Sequence, residues 1–289
     1  MIVHLIRHGE TSSYATDAGL TSLGIEQAAA RGKVLRRTLP EGASVQIGYA
    51  PTQRTRQTAT VLRAALRKEG KFRLGTCVAM PEFRNLQVRV DGVDHEPTQV
   101  RAMASVAGER GWAVEARRFW EAHERGDAMG FWLTTPLLWH ESPADVVARF
   151  VRAAVGRGST EHLVVATHSG CMRAIVAWAW GLDPGEPANA EEVTLVTDSG
   201  RIDVTFRDIT VNLEVPGEWV CDAELSEGVV KAKWWWRASE VGGVGPGARV
   251  RRREVGVGWG GVGWGGGRGV RRRFRGVRSA ARFVVGLVA

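Results

Sequence analysis

The chain has 289 residues, 44% of them hydrophobic and 24% charged, a balance that excludes a wholly disordered chain, a collagen-like chain and a membrane bundle. The formal net charge of +8 is unevenly spread: residues 231–289 hold 14 Lys and Arg against two acids, while residues 1–230 hold 25 against 29. A mildly acidic body is therefore followed by a strongly basic tail, and Cys77, Cys171 and Cys221 lack the spacing of a metal site or a disulfide framework.

The chain starts Met-Ile-Val-His-Leu-Ile-Arg-His. It lacks the basic start and long apolar stretch of a signal peptide. The longest apolar run, residues 174–182, is shorter than the roughly 20 residues that cross a bilayer. No membrane span and a reducing, cytoplasmic location are expected.

Ile2–Ile6 is a short apolar run, the pattern of a buried strand, and it ends in Arg7-His8-Gly9-Glu10. Thr21 to Leu39 carries Ile25, Ala28, Ala29, Val34 and Leu35 at helical spacing, with Pro40 just past the end. Val45–Tyr49 predicts a second strand. A helix then begins near Thr52 or Thr55, and a weaker strand at Gly75–Ala79 is broken by Pro81. Residues 85–140 predict helices near 97–107 and 114–125. Trp112, Trp120, Trp132 and Trp139 lie in or near this stretch, either packed in a core or roofing a cleft. Ser142-Pro143-Ala144-Asp145 reads as a helix start running to about Val155: a serine cap, a proline in the first turn and an acid at the positive end of the dipole. His162–Thr167 is an apolar strand. It leads through His168-Ser169-Gly170 into an apolar helix from Cys171 to Gly181, and strands near 192–197, 201–206 and 209–213 close the body. Alternating strands and helices predict an α/β three-layer sandwich with a mainly parallel sheet flanked by helices. The body is placed at 1–230. The tail at 231–289, with 15 of the 36 glycines, is expected to hold little regular structure.

Ligands gather at the carboxyl ends of parallel strands. Two places there carry a histidine at a glycine-containing turn, Arg7-His8-Gly9 and His168-Ser169-Gly170, and Arg54 follows the second strand. Two histidines with two arginines suit phosphoryl transfer. A neutral imidazole is a competent nucleophile, and guanidinium forks bind phosphoryl oxygens bidentately at any working pH.

At these residues the sequence resembles the histidine phosphatase superfamily, whose fold is phosphoglycerate-mutase-like. Ile6-Arg7-His8-Gly9-Glu10-Thr11 looks like its signature. The helix start from Leu20 through Thr21, Gly24 and Gln27 to Ala28, and the segment Arg54-Thr55-Arg56-Gln57-Thr58-Ala59, are similar to two further motifs. Glu141-Ser142 before a helix that ends near Arg149, and Val165-Ala166-Thr167-His168-Ser169-Gly170, complete an ordered set over roughly 1–215. The resemblance implies that His8 carries the phosphoryl group, Arg7 and Arg54 clamp its oxygens, and His168 donates to the same oxygens. Glu82, in Met80-Pro81-Glu82-Phe83, matches the place of the family's acid/base. Arg56 is the competing reading for Arg54. No metal and no cofactor are implied. Ser12 to Asp17 replaces the family's usual stretch there, which in many members lines the substrate pocket.

The expected activity is hydrolysis of a small-molecule phosphate monoester. A cofactor-dependent phosphoglycerate-type mutase is the alternative within enzymes, but its Glu-Arg-aromatic-Tyr-Gly signature is missing. A non-catalytic protein that binds phospho-ligands, or nucleic acid through the basic tail, is the alternative of another class. For the tail itself, nucleic acid, a membrane surface and a low-complexity extension without a role are the three readings. Glu10 is expected to be a helix or loop contact and Cys171 a small core residue. His4, His95, His123, His140 and His162 lack companion motifs and read as structural or solvated.

Overall fold

A computed structural model describes residues 1–14, 16–68, 70–156, 161–219 and 249–252. The first strand, β1 (Ile2–Arg7), alternates its side chains between two cores. Val3 and Leu5 join one apolar cluster and Ile6 joins another. The same alternation runs through β6 (His162–Thr167), where Leu163 and Val165 face one side and Val164 and Ala166 the other. A central strand buried on both faces has little room for polar alternation, so both strands are mostly apolar; His4 in the middle of β1 is accommodated by hydrogen bonds to Glu192 and His162.

Helix α1 (Ser22–Thr38) is capped by Thr21, whose side chain accepts from the Gly24 amide, and it packs beside α2 (Gln53–Arg67), which lies against β2 (Ser44–Tyr49). Their shared core holds Leu35, Leu39, Val45, Ile47, Leu62 and Leu66. Strand β3 (Arg73–Ala79) follows, then a single 3-10 turn at Pro81–Phe83. A two-stranded hairpin, β4 (Val88–Val90) and β5 (Val93–His95), leads to α3 (Pro97–Val106), α4 (Gly111–Glu124) and α5 (Ala128–Thr134). On the second face α6 (Pro143–Val155) and α7 (Ser169–Trp180) pack with Phe83, Phe150, Ile175 and Leu195.

The eight-stranded sheet runs β10-β9-β8-β7-β1-β6-β2-β3. β1, β6, β2 and β3 are mutually parallel. β7 (Glu192–Asp198), β8 (Arg201–Phe206), β9 (Ile209–Glu214) and β10 (Arg249–Arg252) extend it as an antiparallel meander. Six of the eight strands point the same way as β1, so the sheet is mixed but mostly parallel. With helices on both faces this is the expected three-layer α/β sandwich.

Four details differ from the sequence expectation. The hairpin β4–β5 and the short helix α5 lay hidden in the stretch 85–140. Helix α7 begins at Ser169, two residues earlier than Cys171. The chain returns to the sheet as β10, inside the segment assigned to the tail. The remaining tail features, including Trp234-Trp235-Trp236 and the Arg271-Arg272-Arg273 run, lie outside the described residues. Among the described residues no helix is long and apolar enough to cross a membrane.

Candidate active site

The register of the sheet builds the site. Arg7 on β1 pairs with Thr167 on β6, so the next residue on each strand, His8 and His168, emerges at the same level. The His8 amide donates to Thr167 O at 2.9 Å, and the two imidazoles stand edge to face with centroids 5.5 Å apart. On the other side of β6, Tyr49 of β2 pairs with Ala166. Four residues later the chain enters the first turn of α2, which carries Arg54. Arg54 is 2% exposed, and its Nη2 lies 3.4 Å from His168 Nδ1. Three elements far apart in sequence thus bring His8, His168 and Arg54 together, with Arg7 beneath His8. Arg56, the competing candidate, is exposed on α2.

The remaining motif residues hold the backbone of this turn. Gly9 N donates to Thr58 Oγ1 at 3.1 Å, and that hydroxyl donates to Arg54 O at 2.8 Å. Glu10 N donates to Gln27 Oε1 and Leu20 N to Gln57 Oε1. Glu10 itself accepts from Thr21 Oγ1 at 2.9 Å, the expected loop contact. A Cβ on Gly9 would meet Gly24 O at 2.3 Å, and one on Gly24 would meet Glu10 O at 2.2 Å. Only two glycines let the His8 turn lie this close to the start of α1.

The hydrogen-bond partners fix both tautomers. His8 Nδ1 lies 2.7 Å from Gly9 O, an obligate acceptor. Nδ1 therefore carries the hydrogen and Nε2 presents its lone pair. His168 Nδ1 faces an arginine, an obligate donor, so its hydrogen sits on Nε2. Burial, then the Arg54 guanidinium and Arg7, push His8 from its usual 6.5 to about 3, against the opposing pull of the Gly9 hydrogen bond. Burial and then Arg54 hold His168 well below its ordinary value. Both rings are neutral across the physiological range.

Each arginine is braced by an acid. Arg7 Nη1 donates to Pro187 O and pairs with Glu186 at 3.2 Å. Arg54 Nη1 pairs with Asp17 at 3.2 Å, and the Asp17 carboxylate also accepts from the Gln53 amide at the start of α2. Glu96 Oε2 lies 4.0 Å from Arg54 Nη2, and burial raises this carboxyl above its ordinary value, with Arg54 opposing. Five buried side-chain N–H groups have no hydrogen-bond partner among the described residues, and three of them belong to this site: Arg7 Nε, Arg54 Nε and His168 Nε2. Leaving such donors unpaired is costly, so these are groups that an anion entering the site could satisfy.

Glu82 occupies the Pro81–Phe83 turn, partly buried. That turn folds back from the edge strand across the end of β6, where Phe83 O accepts from Thr167 Oγ1 at 2.9 Å. Sequence reasoning missed Asp17, Glu186 and Glu96 as partners of Arg7 and Arg54, because loop acids follow no period. It also left Tyr14 unassigned. This ring stands 6.2 Å from the His8 ring, with His123 of α4 edge-on behind it at 5.8 Å and Trp120 behind that at 5.0 Å. Trp112, Trp120 and Trp132 are buried in apolar clusters, the core placement. Cys171 is fully buried, with its thiol pushed up to about 12 by burial, an inert core residue.

Residues 3–75, which carry β1, His8, α1 and Arg54, match the family model of the histidine phosphatase superfamily (branch 1), so the resemblance read from the motifs is borne out. Matched solved structures include a mycobacterial glucosyl-3-phosphoglycerate phosphatase, 19% identical, covering 71% of this chain and 97% of that one with a TM-score of 0.44. Another is mycobacterial hydrolase 1, 21% identical, covering 67% and 90% with a TM-score of 0.42. A third is a protein of Thermus thermophilus, 23% identical, covering 68% and 94% with a TM-score of 0.38. No curated protein matches the chain.

Proposed function

We propose that the chain is a phosphomonoester hydrolase working through a phosphohistidine on His8. The observation that carries this reading is the convergence of two buried neutral imidazoles, His8 and His168 with centroids 5.5 Å apart, on Arg54, 3.4 Å from His168, with unpaired N–H groups left on Arg7, Arg54 and His168. His8 Nε2 attacks phosphorus in line, the N–P bond forms and the ester P–O bond breaks. The transferring group spreads its charge over three equatorial oxygens, which the guanidinium and imidazole N–H groups receive. Glu82 protonates the departing alcohol oxygen. It then takes a proton from water as the water oxygen attacks phosphorus and the N–P bond breaks, releasing phosphate and free His8. Fixed positive charge comes from the two arginines, so the cycle needs no metal ion.

The test is phosphate release from p-nitrophenyl phosphate. The wild type turns over with or without a chelator, and His8→Ala is inactive. Chelator-sensitive turnover, or an active His8→Ala, contradicts the reading. A rate increase on adding a bisphosphorylated glycerate points instead to mutase chemistry.

A further inference from the structure

The segment after the Pro81–Phe83 turn is gripped by side chains from three other elements. Arg149 of α6 donates to Glu82 O at 2.8 Å, Arg84 O at 3.1 Å and Asn85 O at 3.5 Å. Thr167 of β6 donates to Phe83 O at 2.9 Å, and Cys171 Sγ of α7 reaches Arg84 O at 3.5 Å. Four successive carbonyls, 82 to 85, are thus bound from outside the loop. The Arg149 guanidinium is itself fixed, because Nε and Nη2 donate to the two oxygens of Glu141, both at 2.9 Å. All five of its N–H groups are committed, three to the loop and two to one carboxylate. Only the planar arginine fork offers five donors in this arrangement. The grip comes from the elements that carry the phosphate pocket: Thr167 precedes His168, and Cys171 lies in the helix His168 caps.

We propose that Arg149 is a positioning residue: backed by Glu141 and joined by Thr167, it pins the carbonyls of the 82–85 loop to the His168 turn and so sets where the Glu82 carboxyl meets the leaving oxygen. This rests on the phosphatase reading with Glu82 as its acid. A misplacement of about 1 Å, even from a change remote from the chemistry, can cost about 100-fold in rate. The loss falls where the acid is needed. An alkyl phosphate leaves as a strongly basic alkoxide and requires protonation. p-Nitrophenyl phosphate leaves as a stable phenolate and requires little.

The experiment compares kcat/KM for glycerol phosphate and p-nitrophenyl phosphate in Glu82→Gln, Arg149→Ala and Thr167→Val, with thermal melts alongside. Glu82→Gln and Arg149→Ala are each expected to lose about 100-fold on the alkyl ester and only a few-fold on the aryl ester. Guanidinium ion, far below denaturing concentration, restores part of the Arg149→Ala loss. Thr167→Val shows the same selectivity at smaller size, and being nearly isosteric it carries the test if Arg149→Ala does not fold. Equal losses on both esters in Arg149→Ala and Thr167→Val, with selectivity kept in Glu82→Gln, overturn the inference and leave the phosphatase reading standing. Equal losses in Glu82→Gln, with His8→Ala inactive, remove the acid assignment and this inference with it.

Discussion

At the scale of single residues, the proposed chemistry turns on the protonation state of His8. Burial and Arg54 take it to about 3 from 6.5, so the folded chain keeps this ring unprotonated where an exposed histidine would be charged. Between pH 6.5 and about 3 the unfolded chain binds a proton at this position and the native chain does not. Stability therefore rises with pH through that window and is lost as pH falls through it. His168, lowered in the same direction, adds to the effect. Rate profiles for kcat on p-nitrophenyl phosphate, taken beside thermal melts, are expected to show activity limited on the acid side by unfolding and not by a titration near 6.5. An inflection near 6.5 in a chain that is still folded contradicts this assignment. Arg54 makes the contact that sets the His168 tautomer, and in the proposed cycle it also donates to phosphate. Arg54→Lys is thus expected to lower kcat by about 100- to 1,000-fold with the fold intact, as read by steady-state kinetics and circular dichroism.

At the scale of elements, the site is a consequence of strand register. Because Arg7 is level with Thr167 across a parallel pair, one residue more on each strand yields two adjacent histidines. The sequence showed both apolar strands and both glycine-containing turns, so His8, His168 and Arg54 were readable. That β6 lies between β1 and β2 was not, since strand order is set by packing over long separations. The hairpin β4–β5 had a usable signal in Asp91-Gly92, which takes φ of 50° and 85°, the preference of a tight two-residue turn. Helix α5 is only seven residues long, two turns without enough period to stand out, although Asp127 caps it by accepting from Gly130 N at 2.9 Å. The crossing of Gly9 and Gly24 sets a sharp mechanical limit. Gly24→Ala would push a methyl group onto the Glu10 carbonyl, so it is expected to destabilise by about 1–3 kcal/mol and to slow turnover by displacing the His8 turn. A melt and an activity unchanged from wild type would show that the two segments give way easily. Tyr14, beside the nucleophile and backed by His123, is expected to favour planar leaving groups. Tyr14→Ala should raise KM for p-nitrophenyl phosphate more than for glycerol phosphate, and equal effects on both would remove that role.

At the scale of the whole molecule, the charge division and the fold do not coincide. The acidic body ends near residue 230, yet β10 pairs with β9 well inside the basic segment. Composition reports what a segment can bury and is silent on a single edge strand that joins through backbone hydrogen bonds. β10 lies four strands from β1, about 19 Å at ordinary strand spacing. A chain ending at residue 230 is accordingly expected to keep its kcat on p-nitrophenyl phosphate while exposing β9 as an unprotected edge, with more aggregation on heating. The claim beneath all of these expectations is that phosphorus passes through His8 Nε2. Rapid quench into alkali during turnover, followed by mass analysis of the peptide around residue 8, tests it directly. The account predicts one acid-labile phosphate on that peptide in wild type and none in His8→Ala; steady turnover with no such phosphate, or phosphate bound to another side chain, contradicts it.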